Sequence, residues 1–363
     1  MKYINFENRT NVNLLVYFAI IVISVVILTI LDMNKYEYSY AISIIENSLV
    51  FAVVALSMNI VTGFTGLFSL GQAGFMALGA YTTAILTIPA ASRANVYYMN
   101  GILPSLENLV LPMPVALILG GLVAALFAAL IGIPVLRLKS DYLAIATLGF
   151  SEIIRAVIAS PMMDKITNGS YGLKSIPGFK SSLECFAYSA ILIIIMILII
   201  NSSTGRDFKA VREDEIAARS VGIDIFKTKE LSFVVSSFFT GVGGGLLAMY
   251  MRSIDSKTFQ IALTYEILLM VVLGGIGSIT GSIVGAFFVT AGKELLRFFD
   301  EPLVIAGNEI PLFRPGFRMV IFSILLMVVV LFFRKGLLGG KELSINNFFV
   351  RRKPTKELSE GGV

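Results

Sequence analysis

The run Ile261–Ala291, IALTYEILLMVVLGGIGSITGSIVGAFFVTA, decides how this chain is built. It carries a single charge, Glu266, and is otherwise apolar or small. A bilayer core about 30 Å thick takes roughly 20 helical residues, so the run is too long for one untilted crossing. Its centre reads Gly274-Gly275-Ile276-Gly277-Ser278-Ile279-Thr280-Gly281. Glycine frees the backbone for a reversal, and interrupted helices are tolerated where protein or water surrounds them. The run therefore reads as two short helices joined by a glycine turn.

Charge on either side supports the split. The segment Gly205–Glu230 and the tail after Phe333 (Arg334, Lys335, Lys341, Arg351, Arg352, Lys353, Lys356) are rich in Lys and Arg. Both are expected inside the cell, where basic loops concentrate. The crossings between them must then be even in number. Leu231–Tyr250 and Phe317–Phe333 supply two, so the glycine-split run must add two or none.

Further out, apolar runs at Leu14–Leu31, Ala41–Val61, Leu67–Ile88, Met113–Leu136, Asp141–Ala159 and Cys185–Asn201 read as more spans. Helices are expected throughout, because every backbone amide in lipid needs an internal partner; no period-two alternation suggests a barrel. The fold class is an all-α polytopic membrane protein of about ten transmembrane helices, some short or broken, with both termini cytoplasmic. Leu14–Leu31 is longer than a signal-peptide core and lacks a small-x-small site before Asp32, so it reads as a retained helix. The short basic Arg137-Leu138-Lys139 fits an inner loop; the outer loop Ser160–Glu184, with three lysines, fits less well. Residues 1–340 form one membrane domain containing a cytoplasmic segment at 203–230, and 341–363 form a basic tail.

Composition narrows the function. Apolar residues make up 56 % of the chain and charged residues 15 %, against about a quarter charged in soluble domains. There is one cysteine, Cys185, and no histidine. Intrachain disulfides are excluded, a His/Cys zinc site is disfavoured, and histidine acid–base chemistry is absent. The formal charge of +5 sits in membrane loops, where it sets orientation rather than binding nucleic acid. No G-x-x-x-x-G-K-[ST] phosphate loop occurs, so the chain carries no nucleotide site of that kind.

The inner segment carries its own pattern. Thr204-Gly205-Arg206-Asp207 has capping-box spacing, and Ala210, Val211, Ala217, Ala218 and Val221 fall at helical spacing. Gly222 stands where a left-handed C-cap belongs. Glu215–Arg219, Lys209–Glu213 and Arg212–Glu215 are expected as ion pairs worth a few tenths of a kcal/mol each. One short amphipathic helix is expected, with a small-residue stripe suited to a groove on another protein. The alternative is a helix lying on lipid headgroups, which favours Trp, Phe and Leu on its apolar face.

GRDFKAVREDEIAARSVGI resembles the coupling segment of the branched-chain amino acid permeases of ABC importers, with its Glu-Ala-Ala…Gly pattern. The resemblance assigns contact with a partner ATPase to Arg212, Glu213, Asp214, Glu215, Ala217, Ala218 and Gly222. Four further stretches resemble the same family in order: Gly63–Phe75, Ser140–Phe150 continuing to Glu152 and Arg155, Thr167–Leu173, and Gly274–Gly285. Gln72 stands where that family often has histidine. A substrate pathway is expected along Gly63, Gly66, Ser69, Gly71, Gln72, Asp141, Tyr142, Glu152, Arg155, Thr167, Asn168 and Gly169. The glycines read equally as close helix packing or as a broken helix lining a site. Glu152 and Arg155 read as a structural ion pair or as part of the pathway, and Glu46 and Glu266 as interfacial residues.

The resemblance implies a permease subunit without a cofactor or metal of its own, translocating branched-chain amino acids by alternating access. It implies ATP and Mg on two cytoplasmic ATPase subunits, a second homologous permease, an extracytoplasmic solute-binding protein, surrounding lipid and a prokaryotic cell membrane. Relatives with other small solutes, such as urea or amides, are the nearest alternative. A lone secondary transporter or channel would need ion-coupling residues, for which only Glu152 and Arg155 qualify. A membrane enzyme is disfavoured by the lack of histidine and clustered carboxylates.

Overall fold

The computed structural model describes residues 24–99, 101–138, 140–296, 304–305, 308–309, 320–324 and 327. Most of the expected first span, much of Phe317–Phe333 and the tail 341–363 lie outside these residues.

The described chain is helical, with one two-residue antiparallel pairing between Val304–Ile305 and Asn308–Glu309. In order come α1 (Ser24–Met33), α2 (Ser39–Asn59), α3 (Gln72–Thr87), α4 (Ala90–Val96), α5 (Met113–Val135), α6 (Ser140–Ile158), α7 (Asp164–Thr167), α8 (Ser182–Asn201), α9 (Ser203–Glu213), α10 (Glu215–Ser220), α11 (Ile225–Met251), α12 (Ile261–Gly274) and α13 (Ile279–Leu295). The chain is an all-α polytopic membrane protein. Among the described residues, Ser39–Phe64, α5, α8 and α11 are long and apolar enough to cross a membrane, and α6 with the segment after it forms a pair bent by 58°. The remaining expected crossings fall on shorter helices or outside the described residues.

The glycine-split run is two helices, as its length required. At 1.5 Å per residue, α12 and α13 are about 21 and 26 Å long, each short for a crossing. They turn at Gly275–Ser278 and return side by side. A Cβ on Gly274 would lie 2.0 Å from the Gly281 carbonyl oxygen, and one on Gly285 2.2 Å from that of Met270.

The centre of the bundle is α11, packed against α3, α5 and α2. Small residues set these crossings. A Cβ on Gly79 would fall 1.9 Å from the Gly241 carbonyl oxygen, and one on Gly244 2.0 Å from that of Met76. Membrane helices gain by packing rather than by expelling water, so close backbone approach is what holds them. Outer faces stay apolar and exposed, as with Leu122, Leu126 and Leu130 on α5 and Ile191 and Leu198 on α8.

Several span boundaries differ from the sequence reading: the span expected at Leu231–Tyr250 runs from Ile225 to Met251, capped by Asp224 inside the charged segment, and that expected at Cys185–Asn201 begins at Ser182. The span expected at Ala41–Val61 begins at Ser39 and ends in a π-helical turn, Ile60–Phe64. The span expected at Leu67–Ile88 is helical only from Gln72. Gly66, at φ +77°, turns the chain into an irregular stretch, whose apolar residues Leu67 and Leu70 are buried against the bundle.

Candidate functional site

One end of the bundle gathers the Gly205–Glu230 segment and the two glycine turns. The segment is two helices meeting at Asp214, not one. Its first cap is Ser202 rather than Thr204: Ser202 is the last extended residue, and its hydroxyl accepts from the Gly205 N–H at 3.4 Å. Phe208 and Val211 bury one face of α9. At Asp214 the backbone becomes extended (φ −159°, ψ 115°), and its carboxylate accepts from the Ile216 and Ala217 N–H groups at 2.7 and 3.0 Å. An aspartate so placed caps a new helix, and α10 sets off from it. Gly222 closes α10 as expected. At φ +89°, it donates to the Arg219 carbonyl while Ile223 N–H donates to that of Ala218, both at 3.1 Å, which completes a Schellman motif.

The apolar stripe divides accordingly. Val211 and Ala218 pack inward with Ala210, Ile223 and Ile225. Val221, expected on the same stripe, is 76 % exposed, and Ile216, at the other end of α10, is 81 % exposed. With Ala217 they leave an apolar knob on the outside of α10.

The ion pairs also differ from expectation. Arg212 pairs with its neighbour Glu213, Lys209 lies 5.5 Å over the Phe64 ring, and Glu215 reaches Lys229 on α11 at 2.6 Å. Side-chain reach to another element outcompetes the intrahelical pairs, and the break at Asp214 removes the Arg212–Glu215 register. The Glu215 carboxylate is half exposed, so its pair contributes about 0–1 kcal/mol and mainly fixes where α10 lies. Asp224 caps α11, accepting from the Lys227 N–H at 3.1 Å. That hydrogen bond, with the Lys227 side chain beside it, holds its carboxyl below the ordinary aspartate value.

Arg212 reaches into the bundle. Its Nη1 donates to the Gly63 carbonyl in the π turn at 2.8 Å. Its stem covers Gly66, where a Cβ would come within 2.9 Å of the arginine Cγ, and its Nη1 lies 2.8 Å from where a Cβ of Gly277 would stand. Asn59, fully buried, completes the junction. Its amide donates to the Ser278 carbonyl (2.9 Å) and the Ser282 hydroxyl (2.7 Å), and its oxygen accepts from Gly277 N–H (2.9 Å). Gly63 has no room for a side chain, since a Cβ would sit 1.8 Å from Asn59 Oδ1 and 2.4 Å from Gly277 N. Thus α2, α9 and the α12–α13 turn meet at one point.

The other expected pathway residues are spread through the molecule. Ser69 and Gly71 lie in the buried approach to α3, where Leu70 N–H donates to the Thr147 hydroxyl at 3.0 Å. Gln72 is engaged inside the bundle, accepting from Thr240 Oγ1 at 2.6 Å and donating to Ser236 Oγ at 3.4 Å. Ser57 joins that network through Thr240 and Ser236. Tyr142 is exposed on α6, and the side chain of Asp141 lies outside what is described. Glu152 and Arg155 form an i,i+3 pair at 2.6 Å. Thr167, Asn168 and Gly169 build a buried corner at the opposite end. There Thr167 donates to Ile158 O (2.7 Å), and Asn168 donates to the carbonyls of Val96 (3.0 Å) and Gly172 (2.8 Å). Glu266 pairs with Lys293 at 2.7 Å. Among the described residues, no group of three or more His, Cys, Asp or Glu converges as a metal site.

Residues 40–331 match the family model described as "Branched-chain amino acid transport system / permease component". The chain belongs to that family. Two similar curated proteins are named high-affinity branched-chain amino acid transport system permease protein LivM. The Salmonella typhimurium protein is 33 % identical over 295 residues, 72 % of this chain and 64 % of the relative. The Escherichia coli protein is 34 % identical over 288 residues, 70 % of this chain and 63 % of the relative. The alignment thus spans a little under two thirds of the length of these relatives. A probable branched-chain amino acid transport permease protein LivM of Methanocaldococcus jannaschii is 26 % identical over 320 residues, 80 % of this chain and 91 % of the relative. No solved structure matches the chain.

In this permease component, the junction residues missed from sequence are Asn59 and Lys229, while Gly277 and Ser282 lie in the Gly274–Gly285 stretch, which gives no sign of their partner Asn59. A lone asparagine inside an apolar run is the available signal for Asn59, since polar groups within a span need partners. Lys229 gave none, because its partner is fourteen residues away and the chain reverses between them.

Proposed function

We propose that the chain is the membrane-spanning subunit of an ATP-driven ABC importer for branched-chain amino acids, with the α9–α10 pair docking a cytoplasmic ATPase. The observation that carries this reading is the α10 knob. Ile216 and Val221 are exposed on a helix held at both ends, by the Asp214 cap and the Gly222 motif, and tied to the bundle by Glu215–Lys229. An apolar helix face held rigid outside the bundle suits insertion into a groove, and preorganisation lowers the cost of docking. A lipid-surface helix would put large apolar groups along a longer face.

Arg212 supplies the transmission. Movement of α9 would pull on the Gly63 carbonyl and press on Gly66 and Gly277, shifting α2 and the α12–α13 turn together. Alternating access would follow from that shift. Two ATPase subunits carry ATP and Mg, a second homologous permease completes the pore, and an extracytoplasmic binding protein delivers substrate. The exposed apolar faces of α5 and α8 are available for lipid or for that sister subunit. The α9–α10 end faces the cytoplasm of a prokaryotic cell, as do both termini. The basic Arg137 lies at that end, beside Glu215 and Lys229, in keeping with the positive-inside rule.

The test is Ile216→Asp in the assembled transporter, scored by ATPase co-purification and by uptake of labelled leucine against labelled urea. Loss of ATPase binding and of leucine uptake, with normal membrane insertion, is expected. Retained docking would refute the role of the knob, and uptake of urea instead of leucine would refute the substrate.

A further inference from the structure

At the end of the bundle opposite α9 and α10, a cavity of about 400 Å³ opens between the start of α2, the end of α11 and Phe179. This lies in the range of small-molecule sites, roughly 300–1,000 Å³. Ser39, Ile42, Ser43 and Glu46 line it from one face of α2, at the i, i+3, i+4, i+7 spacing that puts side chains on one stripe. Across from them stand Met249, Tyr250 and Arg252 of the α11 terminus, with Lys35 at the rim. The wall therefore carries one carboxylate, two cationic side chains, a hydroxyl pair (Ser43 Oγ to Tyr250 Oη, 2.7 Å) and an apolar surface.

Arg252 marks the cavity as more than a gap in packing. It ends α11 in the left-handed conformation, φ +58°, where glycine is the usual residue and a side chain is strained. Gly178 makes room for it: a Cβ there would fall 2.3 Å from the Arg252 Nε. The backbone around it is fastened, with Ile176 N–H donating to the Arg252 carbonyl at 3.1 Å. The neighbouring acid Asp32 is already engaged, accepting from the hydroxyls of Ser181 (2.5 Å) and Ser182 (2.8 Å).

We propose that this cavity binds a zwitterionic α-amino acid with an aliphatic side chain, as an entry site on the outer face. Arg252, with Lys35, takes the carboxylate. Glu46 takes the ammonium, and Ile42, Met249 and Phe179 take the side chain. A carboxylate on α2 and cations just before α2 and just after α11 select a molecule that carries an ammonium and a carboxylate on the same α-carbon. A planar neutral solute such as urea would present neither an anion to Arg252 and Lys35 nor a cation to Glu46. The inference rests on the amino-acid reading above and deepens it.

The full chain in lipid nanodiscs, titrated with leucine, isocaproate (no ammonium) and isopentylamine (no carboxylate), tests it by thermal shift. Leucine is expected to raise the melting temperature saturably, with each analogue binding about tenfold or more weakly. Glu46→Gln should remove the leucine shift. So should Arg252→Gly, which deletes the guanidinium while suiting the left-handed backbone and so keeps the fold. No leucine shift, equal shifts from the two analogues, or an unchanged shift in both variants overturns the site. Leucine uptake by the assembled transporter separates the two readings. Normal uptake by both variants refutes this cavity alone. Failure of the wild-type assembly to carry leucine, while leucine still shifts the isolated chain, refutes the transport reading and leaves the cavity standing.

Discussion

Arg212 is where the α9–α10 segment touches the bundle, and its environment sets what can be changed there. The guanidinium bonds a carbonyl in a π turn, a backbone distortion that recurs at functional positions. Arg212→Met keeps the stem over Gly66 and removes the bond to Gly63. We expect leucine uptake to fall about tenfold or more, equivalent to about 1.4 kcal/mol, while the ATPase still co-purifies. Loss of co-purification would make Arg212 part of the docking face instead. Gly66→Ala should act in the same direction for a different reason, because φ +77° costs a side chain about 1–2 kcal/mol and the new methyl displaces the arginine stem. The glycines at 63 and 66 stand out in the sequence as a motif, but their partner does not. A glycine pattern records that something comes close, not which side chain it is.

At the scale of elements, α10 is six residues long and is held by its ends. So short a helix has no stability of its own in water; it persists through Asp214, Gly222 and the burial of Ala218. Asp214→Ala should cost about 0.5–2 kcal/mol and Gly222→Ala about 1–2 kcal/mol. Hydrogen exchange across Ile216–Ser220 checks both, with rates about tenfold faster expected, and unchanged exchange would show that docking to the bundle alone holds the helix. The boundary at Asp214 was concealed because the apolar spacing continues through it. Asp-x-x-x also reads as ordinary helix interior, and only the extended backbone at 214 shows the new start.

At the scale of the whole molecule, the two ends of the bundle differ in chemistry. One end carries the Arg212 junction, Arg137 and the α10 knob. The other carries the Asn168 corner, the bridge between Leu173 and Ile254 and the charged cavity at Arg252. In a Cys185→Ser background, Ile216→Cys and Met162→Cys are both highly exposed positions. In cells that lack the partner ATPase, a membrane-impermeant maleimide should label residue 162 on intact cells and leave residue 216 unlabelled until the cells are opened. Labelling of both from one side would overturn the assigned orientation. Cys185 is buried, which makes its removal a small change at the labelled surfaces.

Hydrophobic run length and charge placement are local properties, and by themselves they determined the all-helical membrane class, the split at Gly274–Gly281 and the left-handed role of Gly222. Bilayer thickness and backbone hydrogen bonding leave few alternatives for such runs. What meets what is a long-range matter. The tertiary structure alone decided that Asn59 joins the α12–α13 turn, that Arg212 lies on Gly63 and Gly66, and that Glu215 pairs with Lys229 rather than Arg219. It also decided that Glu46 faces Arg252, two residues more than two hundred positions apart. Each of these depends on which helix faces cross, and crossing is set by close packing of small residues on several helices at once, which no single stretch of the chain contains.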